Sequence, residues 1–266
     1  MIASETQTAV AVAAAGQGWL VVEKPAGLSV HNDPGRDLCS RVATMLARDR
    51  RLAERTCFDA HGGLHAPHRL DRDTSGLVLL CCTGEALTFF GRAFQERRIG
   101  KCYLAVLHGE LPGKGIWDFS LARSGAGRRY PAGKGRRAVC RTAYKAIRHS
   151  RHYTLTAAAP LTGRQHQIRR HAKLAGHPVV GDRRYGSLRA LRYLRETAGF
   201  ERLGLHACGL ELPAWPDRNQ RVVVSSDCPR TFFRLMTADE SDMTADKEDI
   251  RQALTDPRCW PGRQGF

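Results

Sequence analysis

The chain has 266 residues, enough to bury a sizeable core in one large domain, and carries 42 Lys and Arg against 26 Asp and Glu, for a net charge of +16 and a pI near 10.0. That excess points to a polyanionic partner, with nucleic acid and an anionic membrane surface as the candidates. The nine cysteines include no CxxC pair, and an odd number in apolar surroundings reads as reduced thiols in the cytoplasm rather than a disulfide framework.

In chain order, the alanine-rich stretch 1–18 lacks a basic leader and is interrupted by Glu5, Gln7 and Gln17, so neither a signal peptide nor a membrane span is expected there. Residues 1–17 read as an N-terminal extension. Trp19 to Glu23 reads as a strand, broken by the turn Lys24-Pro25-Ala26-Gly27. Asp37 or Ser40 suits the cap of a helix running to about Leu52, with Val42, Met45 and Leu46 on one face. His61, His65 and His68 have spacings that would share a helical face and hold a metal. Gly62, Gly63 and Pro67 argue against a helix there, so no metal site is expected.

The next stretch, HRLDRDTSGLVLL at 68–80, is the most informative. It places the carboxylate of Asp71 between Arg69 and Arg72, follows it with the turn residues Asp73, Thr74, Ser75 and Gly76, and runs into a continuous apolar segment at 77–82. Such a segment reads as a strand buried on both faces, so Asp71 is expected in a loop held by the core and open to a ligand. The plainer alternative is an Asp/Arg surface turn that merely caps a strand.

Residues 84–98 suit a helix with Leu87, Phe90, Ala93 and Phe94 at helical spacing, and 101–107 a strand in which Tyr103, on residues alone, is an ordinary sheet tyrosine. From Phe119 to Gly181 there is no Asp or Glu, while arginines and lysines crowd the first half. Such a stretch repels itself unless phosphates lie nearby. Within it SGAGRRYPAGKGRR reads as a mobile basic loop whose Arg128, Arg129, Arg136 and Arg137 meet a nucleic-acid backbone. Strands are expected at 139–147 and 153–158. A helix is expected at 163–176 with Gly176 as its stop; Arg164 at its beginning is disfavoured by the helix dipole and asks for a carboxylate. A basic helix at 187–198, strands at 203–212 and 221–225, and a short helix at 229–236 follow. An acidic tail spans 237–266.

HRLDRDTSG resembles the signature of the RluA-type RNA pseudouridine synthases. VVEKPAGLSVH (21–31), KCYLAVLHG (101–109), TGRQHQIRRHAKLAGHPVVGDRRYG (162–186) and LGLHACGLEL (203–212) are similar to the family's other motifs in the same order. The resemblance spans about 18–236 and implies one catalytic domain with the pseudouridine synthase fold, α+β with a central, mainly antiparallel sheet. It implies Asp71 as the catalytic carboxylate, Tyr103 as an active-site tyrosine and Arg164 as the partner of Asp71. Arg69 would fill the space of a flipped base, and His68, Arg72 and Arg169 would join the loop arginines in binding RNA. The stretch ahead of Trp19 is too short for the S4-type domain of many relatives, so the grip on RNA is expected from the catalytic domain itself or from a partner. The acidic tail is expected either to pack as a helix or to compete with RNA for the basic surface.

No glycine-rich phosphate loop or dinucleotide fingerprint follows a strand, so no cofactor is expected, and the chain is expected to act on RNA as a cytoplasmic monomer with no membrane partner. A non-catalytic RNA-binding protein on the same fold would show the same charge but be indifferent to loss of Asp71. A DNA-binding regulator is disfavoured by the lack of a helix-turn-helix, zinc finger or basic zipper.

Overall fold

The computed structural model describes residues 10–217, 220–239 and 260. Among them the order is β1 (Val12–Gly16), β2 (Trp19–Lys24), α1 (Leu38–Arg48), α2 (Arg50–Arg55), β3 (Ser75–Cys81), α3 (Gly84–Gln95), β4 (Gly100–His108), β5 (Lys114–Trp117), β6 (Leu121–Ala122), β7 (Arg137–Ala138), β8 (Thr142–His149), β9 (Tyr153–Pro160), α4 (Gln167–Leu174), α5 (Leu188–Glu196), β10 (Leu205–Pro213), β11 (Arg221–Ser225) and α6 (Arg230–Ala238). This is the expected α+β class. The chain forms two compact units, residues 1–99 with 211–226 and residues 100–210 with 227–266.

In the first unit, β2 pairs antiparallel with both β1 and β3, and every residue of β3 is buried, as its unbroken apolar run requires. β1 corrects the sequence expectation for 1–17: residues 12–16 are part of the sheet. Their sequence, VAAAG, has little β-propensity and no apolar contrast, so it carried no strand signal. Asp37 caps α1, its Oδ1 accepting from Ser40 N at 2.9 Å. The helix expected to reach Leu52 is two helices, because Asp49 leaves the helical conformation and caps α2 through Leu52 N at 3.0 Å. Thr83 caps α3, which buries Ala86, Phe90 and Ala93.

In the second unit the strand order is β10-β4-β9-β8-β5, with β6 and β7 forming a separate pair. Antiparallel β4 and β9 align Tyr103 with Ala158 and Val106 with Leu155. Ile168 and Ala172 of α4 close one core cluster with Ala105, Leu107, Ala158 and Leu205, and the body of Tyr103 packs against it. α4 is shorter than expected, because His166 sits in the left-handed region (φ 52°) and keeps 163–166 out of the helix. Gly176 (φ 87°) stops it as expected.

Two residues of the expected tail are tied to this unit. Asp239 accepts from Ser150 Oγ at 2.7 Å and His152 N at 2.6 Å, and pairs with His152 Nδ1 at 2.7 Å. Trp260 is buried against Gly209, where a Cβ would collide with its ring. The rest of the acidic cluster, Glu240 to Asp249, lies outside the described residues.

Candidate active site

The loop carrying Asp71 is tied to the first unit through the backbone carbonyl of Arg72. Lys24, at the end of β2 and only 1% exposed, donates through Nζ to Pro25 O, Leu28 O and Arg72 O at 2.9, 2.8 and 2.9 Å. A buried ammonium without acceptors is prohibitive, so the turn 25–28 and the peptide after Asp71 are drawn onto it. Gly27 N adds a second bond to Arg72 O at 2.9 Å, and Arg72 Nε returns one to Gly27 O at 2.9 Å. Gly27 (φ 85°) supplies the positive φ that this turn needs. A tight turn then closes from Thr74 N to Asp71 O at 3.1 Å, while Leu70 and Thr74 are buried on either side. Asp71 itself is half-buried, with Arg69 and Arg72 exposed beside it. The turn is thus held by hydrogen bonds to β2 and to the turn that follows it.

His68 takes a place different from the one expected. Leu79 N donates to its Nε2 at 2.9 Å, so that nitrogen carries no proton, and its ring stacks on Phe94 with centroids 4.6 Å apart. It pins the start of the loop to β3.

In the second unit Tyr103 is half-buried on β4, and Arg164 is exposed in the turn ahead of α4. That turn is shaped by buried Gln167. Its Oε1 accepts from Thr162 Oγ1 at 2.7 Å and Arg164 N at 3.0 Å, and its Nε2 donates to Arg141 O at 2.9 Å and Thr142 Oγ1 at 3.0 Å. Every polar group of the amide is used, which fixes the backbone of Arg164. His166 Nδ1 meets Tyr185 Oη at 2.9 Å from the other side.

Arg169 corrects the expectation of an RNA contact. It is 6% exposed and forms a bidentate pair with Asp182, Nε to Oδ2 at 2.7 Å and Nη2 to Oδ1 at 2.8 Å. Asp182 Oδ1 also caps Arg184 N and Tyr185 N, each at 2.9 Å. The acid-free stretch ends one residue before Asp182, so its compensating carboxylate lies just beyond it in sequence.

The basic loop at 124–137 is not a mobile tip. Arg170 of α4, fully buried, reaches into it and donates to Pro131 O at 2.6 Å, Ala132 O at 2.7 Å and Ala122 O at 3.1 Å, with a fourth bond to Gln165 O at 3.1 Å. Arg184 Nη2 holds Gly125 O at 2.9 Å, and a Cβ at Gly125 would collide with Tyr185 Oη. Arg128 is spent on the same docking, through Gly186 O and Arg183 O. Arg129, Arg136 and Arg137 are exposed. Glycine count suggested mobility; the buried donors of Arg170 override it. Lys24, Gln167, Arg170 and Asp182 are the residues that sequence inspection missed as site builders. Only Asp182 had a local signal, as the first acid after a long run of cations.

The chain matches the family model described as RNA pseudouridylate synthase over residues 18–174, a span that includes Asp71, Tyr103 and Arg164. It belongs to the RNA pseudouridylate synthase family. Among similar curated members, tRNA pseudouridine synthase C of Haemophilus ducreyi is 31% identical over 219 residues, covering 78% of this chain and 86% of that one. Ribosomal large subunit pseudouridine synthase D of Xanthomonas campestris pv. campestris is 34% identical over 241 residues, covering 88% and 70%. Among solved structures, human RNA Pseudouridylate Synthase Domain Containing 1 superposes with a TM-score of 0.68 at 24% identity, covering 96% of this chain and 97% of that one, and shares its fold. This pseudouridylate synthase is thus an isomerase with the expected pseudouridine synthase fold. No described helix is long and apolar enough to cross a membrane.

Proposed function

We propose that this chain isomerises uridine to pseudouridine in ribosomal or transfer RNA, as a cytoplasmic monomer without a cofactor, with Asp71 as the catalytic carboxylate. The observation that carries this is the build of the Asp71 loop. A half-buried carboxylate is held on a turn locked by a buried lysine, inside the span that matches the family model. The relatives' names supply both RNA classes.

The reaction breaks the N1–C1′ bond, rotates the uracil and joins C5 to C1′. The proton at C5 is lost and N1 gains one, so nothing is oxidised and no water is consumed. A carboxylate serves this either by attacking covalently, as in retaining glycosidases, or by stabilising positive charge on the sugar. Either role needs an anion fixed in place before the substrate arrives, which the rigid loop supplies. Because the glycosidic bond is hidden in a stack, the nucleotide is flipped out at a cost of a few kcal/mol. Arg69, exposed next to Asp71, is assigned to the space the base leaves, and Tyr103 and Arg164 to the reacting nucleotide.

The test is pseudouridine formation by purified protein on total transfer and ribosomal RNA. Asp71→Asn keeps the shape of the side chain and removes its charge; activity is expected to fall by about 10³-fold or more while RNA affinity and thermal midpoint stay near wild type. Arg164→Met is expected to cost nearly as much, and the double variant little more than either, because residues that act as a unit are non-additive. Asp71→Asn activity within tenfold of wild type would sink the catalytic assignment.

A further inference from the structure

The basic loop displays one aromatic side chain that folding does not use. Tyr130 is 55% exposed, yet its backbone is among the most restrained in the loop. Its carbonyl accepts from Ala126 N at 3.2 Å and Gly133 N at 2.9 Å, and the next two carbonyls, of Pro131 and Ala132, are held by Arg170. Three consecutive carbonyls are therefore fixed. Gly133 (φ 83°) is packed so closely that a Cβ would strike Ser124 O, which locks the far side of the same turn. Above this rigid base the ring stands among cations: Lys134 Nζ lies 5.1 Å from its centroid, and Arg129 and Arg136 are exposed close by in sequence.

An aromatic kept for the core is buried, whereas this ring is offered to solvent on a backbone secured by a buried guanidinium. Any nucleobase has a π face that stacks on such a ring, whatever its sequence, and surrounding cations take the flanking phosphates. A preformed loop also avoids the ordering cost that a floppy one incurs on binding.

We propose that Tyr130 is a stacking platform for an unpaired base of the RNA substrate, with Arg129, Lys134 and Arg136 on adjacent phosphates and Arg170 as the positioning residue that holds the platform. This rests on the RNA substrate proposed above and adds to it a contact with a base, beyond contact with phosphate alone.

The experiment compares binding of the full chain to an oligouridylate of about 12 nucleotides and to an oligomer with the same number of phosphates whose central bases are removed. Wild type is expected to favour the intact oligomer by about tenfold, the size of one stacked base. Tyr130→Ala is expected to lose that margin while its affinity for the abasic oligomer is unchanged, and Tyr130→Phe to keep it. Arg170→Leu is expected to lose the margin too and to admit protease cleavage at 125–135. With RNA substrate, Tyr130→Ala raises KM about tenfold and leaves kcat within about twofold of wild type. The proposal is overturned if wild type does not distinguish the two oligomers, or if Tyr130→Ala weakens both equally or neither. Absence of pseudouridine in RNA treated with wild-type protein would instead overturn the enzymatic assignment, whatever the oligomers show.

Discussion

Arg169 and Arg170 are sequence neighbours, both buried, and their charges are accommodated in different ways. Arg169 is paired with a carboxylate, Asp182, whereas Arg170 is surrounded by four backbone carbonyls. The difference has a consequence for stability. Removing one member of a buried ion pair leaves the other charge desolvated, at a cost of about 3–5 kcal/mol. Asp182→Ala is therefore expected to lower the urea midpoint sharply, the more so because the N–H groups of Arg184 and Tyr185 lose their acceptor with it. Adding Arg169→Met should recover a large part of the loss. A single variant as stable as wild type would show that the pair is not desolvated in solution. At this scale Asp71 was legible, because its loop chemistry is written in the adjacent residues 69–76. The fate of Arg169 was not, because its partner lies 13 positions away and only the turn at 182–186 brings it back.

Elements were legible wherever one periodicity dominated. β3 and α3 fall where the apolar run and the helical stripe place them, and β11 coincides with its expected span. Misreadings occurred where a local residue leaves the regular conformation. Asp49 splits one helix, and His166 shortens another, by φ/ψ choices that hydrophobic pattern does not record. The basic loop is the largest such case. As a floppy tip it could be deleted at little cost. Docked as it is, deletion of residues 125–135 is expected to strip Arg170 of the Pro131 and Ala132 carbonyls and lower the thermal midpoint by several degrees, as a loss of about 1–3 kcal/mol would. Replacing Arg170 by Leu in the deletion background should restore part of the midpoint, since the stranded charge goes with it. A deletion with an unchanged midpoint would return the loop to the status of a mobile tip.

At the scale of the whole molecule, two buried histidines make stability depend on pH. Burial pushes His171 down to about 4, with Arg170 adding to the effect against the opposing influence of Phe119 O and Asp118. Burial, with Arg202, pushes His206 down to about 3. The ring of His171 is held neutral, Nε2 donating to Phe119 O at 3.1 Å and Nδ1 accepting from Thr142 Oγ1 at 3.0 Å. The folded state therefore refuses protons that the unfolded chain takes up near pH 6.5. Stability is complete above that value and is lost as pH falls through the window from about 6.5 to 4 for His171 and to 3 for His206. Unfolding free energies from urea titrations at about pH 7.5 and pH 5, in salt enough to screen the general repulsion of a +16 chain, should differ by up to about 4 kcal/mol in favour of the higher pH. Equal free energies would mean that these rings are protonated, or reachable by water, in the folded protein.

Sequence by itself determined the fold class, the family and the Asp71 loop, because each is carried by patterns local to a few residues: an apolar run, a turn, an acid between two arginines. It also determined the basic character of the surface, since charge is additive along a chain. Tertiary structure alone decided which cations face solvent. Burial assigned Arg169 and Arg170 to holding the scaffold and left Arg129, Arg136 and Arg137 exposed, though all five look alike in the sequence. The reason is that a guanidinium enters a core only where acceptors converge on it. Those acceptors, Asp182 Oδ1 and Oδ2 for one and the carbonyls of Ala122, Pro131, Ala132 and Gln165 for the other, come mostly from parts of the chain brought together by the fold.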